Sequence, residues 1–238
     1  MPFSPSYHIY PCGDQAVTIE WGDKIDSDIN EQVMALFAYL KGLLLPGVKD
    51  IIPAYHSLTI VYDMLKLKKN VPYNTVYEMI CAQLKNAVSF YKEPLLTNAR
   101  LVSIPVCYDL SFAPDLKTLA AKHSISIEEV IKLHTGKTYR VYMIGFLPGF
   151  AYLGTVDEKI ITPRKSQPRT LVPAGSVGIA GEQTGIYPFD SPGGWQLIGR
   201  TPISLFSTTN DNPCYLQPGD NIGFYAISVS EFEKIKML

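Results

Sequence analysis

The placement of glycine and proline constrains the fold of this chain more than any other feature of its sequence. Of 17 glycines, 12 lie between Gly145 and Gly223 and 5 precede them. Within that span the chain reads, in order, GFLPGFAYLG, TPRKSQPRT and VPAGSVGIAGEQTGIYPFDSPGGWQLIGRTP, ending at Pro202. Glycine reaches positive φ and lets backbones approach closely, while proline fixes φ and removes a donor. A stretch rich in both is built on backbone geometry, for tight turns in a small β fold or for loops that aim main-chain groups at a ligand. Short apolar runs at 139–144, 171–172, 177–180, 196–198, 203–206 and 221–225 are separated by turn residues, the pattern of a β barrel or sandwich. Pro218-Gly219-Asp220 reads as a hairpin turn and 229–238 as a short closing helix.

Upstream, strand and helix signals alternate. Residues 7–11 and 16–21 read as a hairpin turning at Gly13-Asp14, and Asp26 or Ser27 is placed to cap a helix over 29–45. In that helix Ile29, Val33, Leu36, Phe37, Leu40 and Leu44 share a face. Strands follow at 48–54 and 57–62, a helix at 73–91 and a strand at 100–106. These elements predict a compact unit resembling a ferredoxin-like layer, and the chain as a whole reads as α+β. The expected division is an N-terminal α/β domain over 1–95 and a β-barrel domain over 96–238. Two helical pieces, 114–123 and 126–134, open the second domain, with Ser126 and Glu129 spaced as a capping box.

With 21 basic and 22 acidic residues, the chain has no positive field to favour nucleic acid and no polybasic segment to favour anionic lipid. Small molecules and proteins are the expected partners. Cys12, Cys81, Cys107 and Cys214 form no CxxC pair, which argues against a structural zinc site and a redox motif and predicts buried free thiols. No secretory signal or membrane-length apolar window is present, so the cytoplasm is the expected compartment.

Familiar catalytic signatures fail residue by residue. Gly136-Lys137-Thr138 imitates the end of a P-loop, but Ile131 stands where its first glycine belongs. Ala174-Gly175-Ser176-Val177-Gly178 imitates a nucleophile elbow, but Ala174 replaces the required glycine. Gly175, Gly178 and Gly181 recur every third residue, either as barrel turns or as a concavity for an anion or carbonyl, with Glu182, Gln183 and Thr184 beside it. Arg164, Arg169 and Arg200 carry planar forks suited to carboxylate or phosphate, unless they pair with Asp157, Glu158, Glu182 or Asp190. His134 closes a helix, where it serves the helix dipole or acts as a base. Trp195, set in SPGGW, is placed to wall a pocket or anchor a partner.

At these residues the chain resembles the B-subunit proteins of bacterial 5-oxoprolinase, also called the KipI or allophanate hydrolase subunit 1 family. The resemblance runs through Leu133-His134, 139–154, Thr162-Pro163-Arg164, Pro168-Arg169, 172–181, 183–188 and 191–202, with Gly13-Asp14-Gln15-Ala16 matching the start. It implies an N-terminal α/β domain followed by a cyclophilin-like barrel. It also implies a component that works with separate A and C subunits to open 5-oxoproline to glutamate at the expense of ATP. ATP would then bind mostly with the partner subunits, and no metal site is expected in this chain. On this reading His134 and Arg200 are catalytic. Arg164, Arg169, Gly175, Ser176, Gly178, Gln183, Thr184 and Trp195 bind the anionic substrate or phosphate. The family also implies two alternatives, an inhibitor of a sensor histidine kinase and a carboxyltransferase-type subunit.

Overall fold

The computed structural model describes residues 6–43, 45–68, 73–90 and 99–237. Two compact units divide the chain at residues 98 and 99. The boundary expected between 95 and 96 lies outside the described residues, as do Leu44 and Tyr91 of the expected helices.

In the first unit, β1 (His8–Pro11), β2 (Ala16–Glu20), α1 (Ser27–Gly42), β3 (Val48–Pro53), β4 (Ser57–Tyr62), α2 (Met64–Leu67) and α3 (Val76–Phe90) follow one another. The four strands form one antiparallel sheet in the order β1-β2-β4-β3. A ferredoxin-like chain runs βαββαβ, whereas this one opens on a hairpin and places both of its long helices after it. Alternation decides the buried face: Leu58, Ile60 and Tyr62 point into a core with Val17, Ile19, Val33, Leu36, Leu40, Ile80 and Leu84. Asp26 caps α1 by accepting from the amides of Asp28 and Ile29. A groove of about 380 Å³ between α1 and β3 is lined by Phe37, Leu40, Leu45, Val48 and Ile51, with Lys41, Lys49 and Asp50 also on its walls.

The second unit is a closed barrel. Its strands are β5 (Leu101–Cys107), β6 (Thr138–Ile144), β7 (Ala151–Gly154), β9 (Ser176–Ala180), β10 (Gln183–Ile186), β12 (Gln196–Arg200) and β13 (Asn221–Ile227). They close in the order β10-β7-β6-β13-β5-β12-β9, with β13 parallel to β5 and the other pairs antiparallel. A separate ribbon pairs β8 (Arg169–Val172) with β11 (Ser191–Gly193). Three helices complete the unit: α4 (Leu116–Lys122), α5 (Ile127–Thr135) and α6 (Val229–Lys236). Ile104, Val106, Tyr139, Val141, Leu153, Val177, Ile179, Ile186 and Ile222 fill the interior.

Two local expectations change. Residues 203–206 form one bridge, Phe206 to Cys214, in place of a strand. Ser126 caps α5 through the Glu129 amide, but the reciprocal capping box is found at Ser228 and Glu231 of α6. Of the four free cysteines only Cys107 is buried, and Cys12 is exposed. No helix among the described residues is long and apolar enough to cross a membrane.

Candidate functional site

The residues expected to share one site occupy three separate places. The first is the barrel interior. His134, in the last turn of α5, has no exposed surface, and its ring stacks on Phe224 at 4.6 Å. Nδ1 lies 2.7 Å from the Tyr108 hydroxyl and Nε2 lies 3.0 Å from Thr184 Oγ1. Thr184 donates to the Gly178 carbonyl at 3.0 Å, so its oxygen accepts from His134 Nε2–H, and Tyr108 donates to Nδ1. This directional chain fixes a neutral imidazole. Burial lowers its pKa to about 3. The acid/base role expected of His134 does not suit this position, because both ring nitrogens are committed and the ring holds no exchangeable charge near neutral pH. Thr184, fully buried, belongs to the same core chain.

The glycine series occupies the second place, and it resolves into packing. Gly175 has φ +81°, and a β-carbon there would fall onto the Thr201 carbonyl. Arg200 Nε donates to the Ala174 carbonyl at 2.7 Å, so it ties down the same turn, and its guanidinium lies over Phe112 at 5.9 Å. Gly178 and Gly185 are directly paired across β9 and β10. A β-carbon at Gly178 would stand 3.0 Å from Trp195 Cβ, and one at Gly185 would stand 2.9 Å from Trp195 Cζ3. The paired glycines flatten the barrel wall to seat the indole. The amides of Gly175 and Gly181 are spent internally: Gly175 N–H donates to Tyr187 O and Gly181 N–H to Thr162 O. The expected concavity of main-chain donors is therefore not formed by the Gly175 and Gly181 amides, and Gly178 lies inside the barrel ladder between β10 and β12. Ser176 is buried, with its amide on Pro173 O and its carbonyl accepting from Tyr187 N–H. Gln183 opens β10, half-buried and paired with Ala180 and Gly154.

Arg164, Arg169 and Trp195 come together in the third place, outside the barrel wall. Trp195 is 4% exposed, walled by Phe150 at 5.4 Å, Tyr152 at 6.0 Å and Tyr187 at 6.5 Å between ring centres. Val172 of the ribbon packs into this aromatic cluster. Arg164, exposed, lies over the Trp195 ring at 5.9 Å, within cation–π range. The loop that carries it is pinned by Lys165 N–H to Gly194 O at 2.7 Å and by Gln196 Nε2 to Pro163 O at 2.9 Å.

The organising residue of this place, Asp115, is missing from the set expected from sequence. It precedes α4 and makes no side-chain cap bond there. Its carboxylate, 6% exposed, instead accepts Arg169 Nη2 at 2.6 Å and Lys165 Nζ at 3.0 Å on Oδ1, and the Leu197 amide at 2.7 Å on Oδ2. Burial alone would raise the Asp115 pKa, yet Arg169, the Leu197 amide and Lys165 together hold it below the ordinary carboxylate value. Arg169 Nη1 stays buried with no partner, as does Ser191 Oγ on the facing strand β11. Burial raises the Tyr187 and Tyr152 hydroxyl pKa values, against the pull of the Arg164 charge. Neither Arg164 nor Arg169 pairs with Asp157, Glu158, Glu182 or Asp190 among the described residues. No three His, Cys, Asp or Glu side chains cluster to hold a metal among the described residues.

This sequence and geometry have known relatives. The profile of the carboxyltransferase domain, subdomain C and D, matches residues 7–216. The 5-oxoprolinase B subunit of Bacillus subtilis (strain 168) is 43% identical over 232 residues, 97% of each chain. That of Escherichia coli O157:H7 is 37% identical over 90% of this chain and 94% of its own. The crystal structure of TTHA0988 superposes with a TM-score of 0.77 at 34% identity over 90% of this chain, which spans 40% of that longer chain. The chain therefore belongs to the carboxyltransferase-domain family and, within it, to the B-subunit proteins of 5-oxoprolinase.

Proposed function

We propose that this chain is the B component of an ATP-dependent 5-oxoprolinase, a cytoplasmic complex that opens 5-oxo-L-proline to L-glutamate together with the A and C subunits. The observation that carries the reading is 43% identity, over 97% of both chains, to a protein named as the B subunit of 5-oxoprolinase. The barrel is then the cyclophilin-like half of a site that a second subunit completes. The chemistry agrees with the geometry. A lactam is a stabilised amide, and phosphorylating its oxygen makes the ring carbon open to attack, which calls for cationic stabilisation of the developing anion. Arg164, Lys165 and Arg169 gather such charge on one pinned loop, beside a wall of aromatic rings.

ATP is not held by this chain's one phosphate-loop imitation. Gly136-Lys137-Thr138 joins α5 to β6, a helix-to-strand connection, the reverse of the strand-loop-helix geometry that cradles phosphates. On this reading the nucleotide sits on a surface that the A and C subunits complete.

Reconstitution tests this reading. The chain mixed with the A and C subunits should give ATP-dependent glutamate formation from 5-oxoproline, and omission of this chain should abolish it. Full ring opening without the chain would sink the reading, as would a chain that adds nothing to ring opening and blocks autophosphorylation of a histidine kinase.

A further inference from the structure

A fault in the edge strand β3 opens a groove in the first unit. β3 is the outermost strand of its sheet. Val48 opposes Tyr62 and Asp50 opposes Val61, so Lys49 is an extra residue, a β-bulge. In regular alternation Val48 would share a face with Asp50. The extra residue gives that place to Ile51: Val48 lies opposite Tyr62 and Ile51 opposite Ile60, both core side chains. Val48 and Ile51 therefore line the groove of about 380 Å³ together with Phe37, Leu40 and Leu45, and the same bulge sets Lys49 and Asp50 on its walls. Phe37, Leu45, Val48 and Ile51 are half-buried, so the core of the first unit comes to the surface here. Gly47, at φ +80°, holds the entry to β3 against α2, where the Leu67 side chain fills the space a β-carbon would need.

The walls select an occupant. A strand is ill suited, because the bulge, Lys49 and Pro53 interrupt the open edge with which it would have to pair. Recognition falls to side chains: an apolar floor and two ammonium groups. Lys41 Nζ lies 5.4 Å from the Phe37 ring centre, and Lys49 Nζ reaches Gln15 Oε1 at 3.5 Å and Asp63 Oδ2 at 3.7 Å, contacts long enough to yield to a closer anion. Asp50, the acid on the walls, accepts the amide of its own neighbour Ile51 at 2.8 Å. Between residues 41 and 68, Lys41, Lys49, Lys66 and Lys68 stand against Asp50 and Asp63, a balance of +2 in a chain whose net charge is −1. Helix α1 meets the groove with its last turn, which carries Lys41, and the negative end of its dipole opposes a polyanion such as phosphate. A single carboxylate on an apolar body satisfies both conditions.

We propose that the groove between α1 and β3 binds a small amphipathic monocarboxylate, its aliphatic body on Phe37, Leu40, Leu45, Val48 and Ile51 and its carboxylate at the rim that bears Lys41 and Lys49. A mostly apolar groove of this volume with a few polar groups is the ordinary form of a small-ligand site. The site lies wholly within the first unit and does not depend on the function proposed above.

The test is calorimetric titration of the full chain at neutral pH with octanoate, hexanoate, 1-octanol and octylamine, with amide NMR shifts to place the bound probe. Octanoate should bind and move the amide signals of Lys41, Lys49 and Ile51. 1-Octanol, which has the chain without the charge, should bind about tenfold more weakly, and octylamine, a cation at neutral pH, more weakly still. Hexanoate, with a shorter chain, should lose about tenfold against octanoate. Lys41→Gln and Lys49→Gln should each weaken octanoate about threefold and the double variant about tenfold, with unchanged unfolding midpoints because both side chains are exposed. Absence of octanoate binding, 1-octanol or octylamine binding as tightly as octanoate, an unaltered double variant, or shifts confined to the second unit would each overturn the site.

Discussion

His134→Ala is expected to destabilise the barrel unit by about 4 kcal/mol, a large share of the stability of a typical domain. Two effects add. Removing the ring leaves a cavity against Phe224 and Tyr139, and it strips partners from the buried Tyr108 and Thr184 hydroxyls. The unfolding midpoint in urea is the measurement, and a lowering of Tm by roughly 10 °C should accompany it. The same residue sets a pH dependence. Its folded pKa of about 3 lies below the ordinary 6.5, so the folded state binds fewer protons than the unfolded chain. The full contribution is present above pH 6.5 and declines as pH falls towards 3, by about 1.4 kcal/mol per unit. A variant with unchanged stability and an altered pH–rate profile near neutrality would show that His134 is a working base after all.

Asp115→Ala is expected to cost about 3 kcal/mol, because it leaves Arg169 partly buried without its counter-charge and the Leu197 amide without an acceptor. The loop from Pro163 to Arg169 should lose its anchor, so 5-oxoproline affinity should fall along with stability. The sign of the pH effect follows from the depressed carboxylate. Its contribution is complete above the unfolded value near 3.8 and is lost as pH falls below it, a lower window than that of His134. In Asp115→Asn that acid-side loss should flatten. Urea unfolding at several pH values, with binding measured in parallel, checks both parts.

Much of the barrel is legible from the chain because turn residues punctuate its apolar runs, and β6, β9, β12 and β13 fall where those runs lie. The strands that escape, β7, β10 and β11, are three or four residues long and carry glycine, too short for periodicity to register. Glycine recurrence is ambiguous for a physical reason. The same residue type serves a positive φ at Gly175 and close packing under Trp195 at Gly178, and the sequence does not state which. Arg164, Arg169 and Trp195 are recognisable as one site because they lie within one loop-rich stretch. Asp115 is not, since its partners are 50, 54 and 82 residues away and its position before a helix suggests an ordinary cap. His134 misleads for the same reason: its burial comes from α5, β6, β10 and β13 converging, which no local pattern records.

The central claim is that substrate recognition lies on the loop carrying Arg164, outside the barrel, and that Arg200 and the glycine turns hold structure. The most direct measurement is kcat/KM for 5-oxoproline in the reconstituted complex with Arg164→Gln and, separately, Arg200→Gln. Arg164→Gln should lower kcat/KM about tenfold or more with an unchanged unfolding midpoint. Arg200→Gln, which frees the Ala174 carbonyl, should lower the midpoint and leave kcat/KM within about twofold. The opposite pattern, with activity lost at Arg200 and kept at Arg164, would contradict the account.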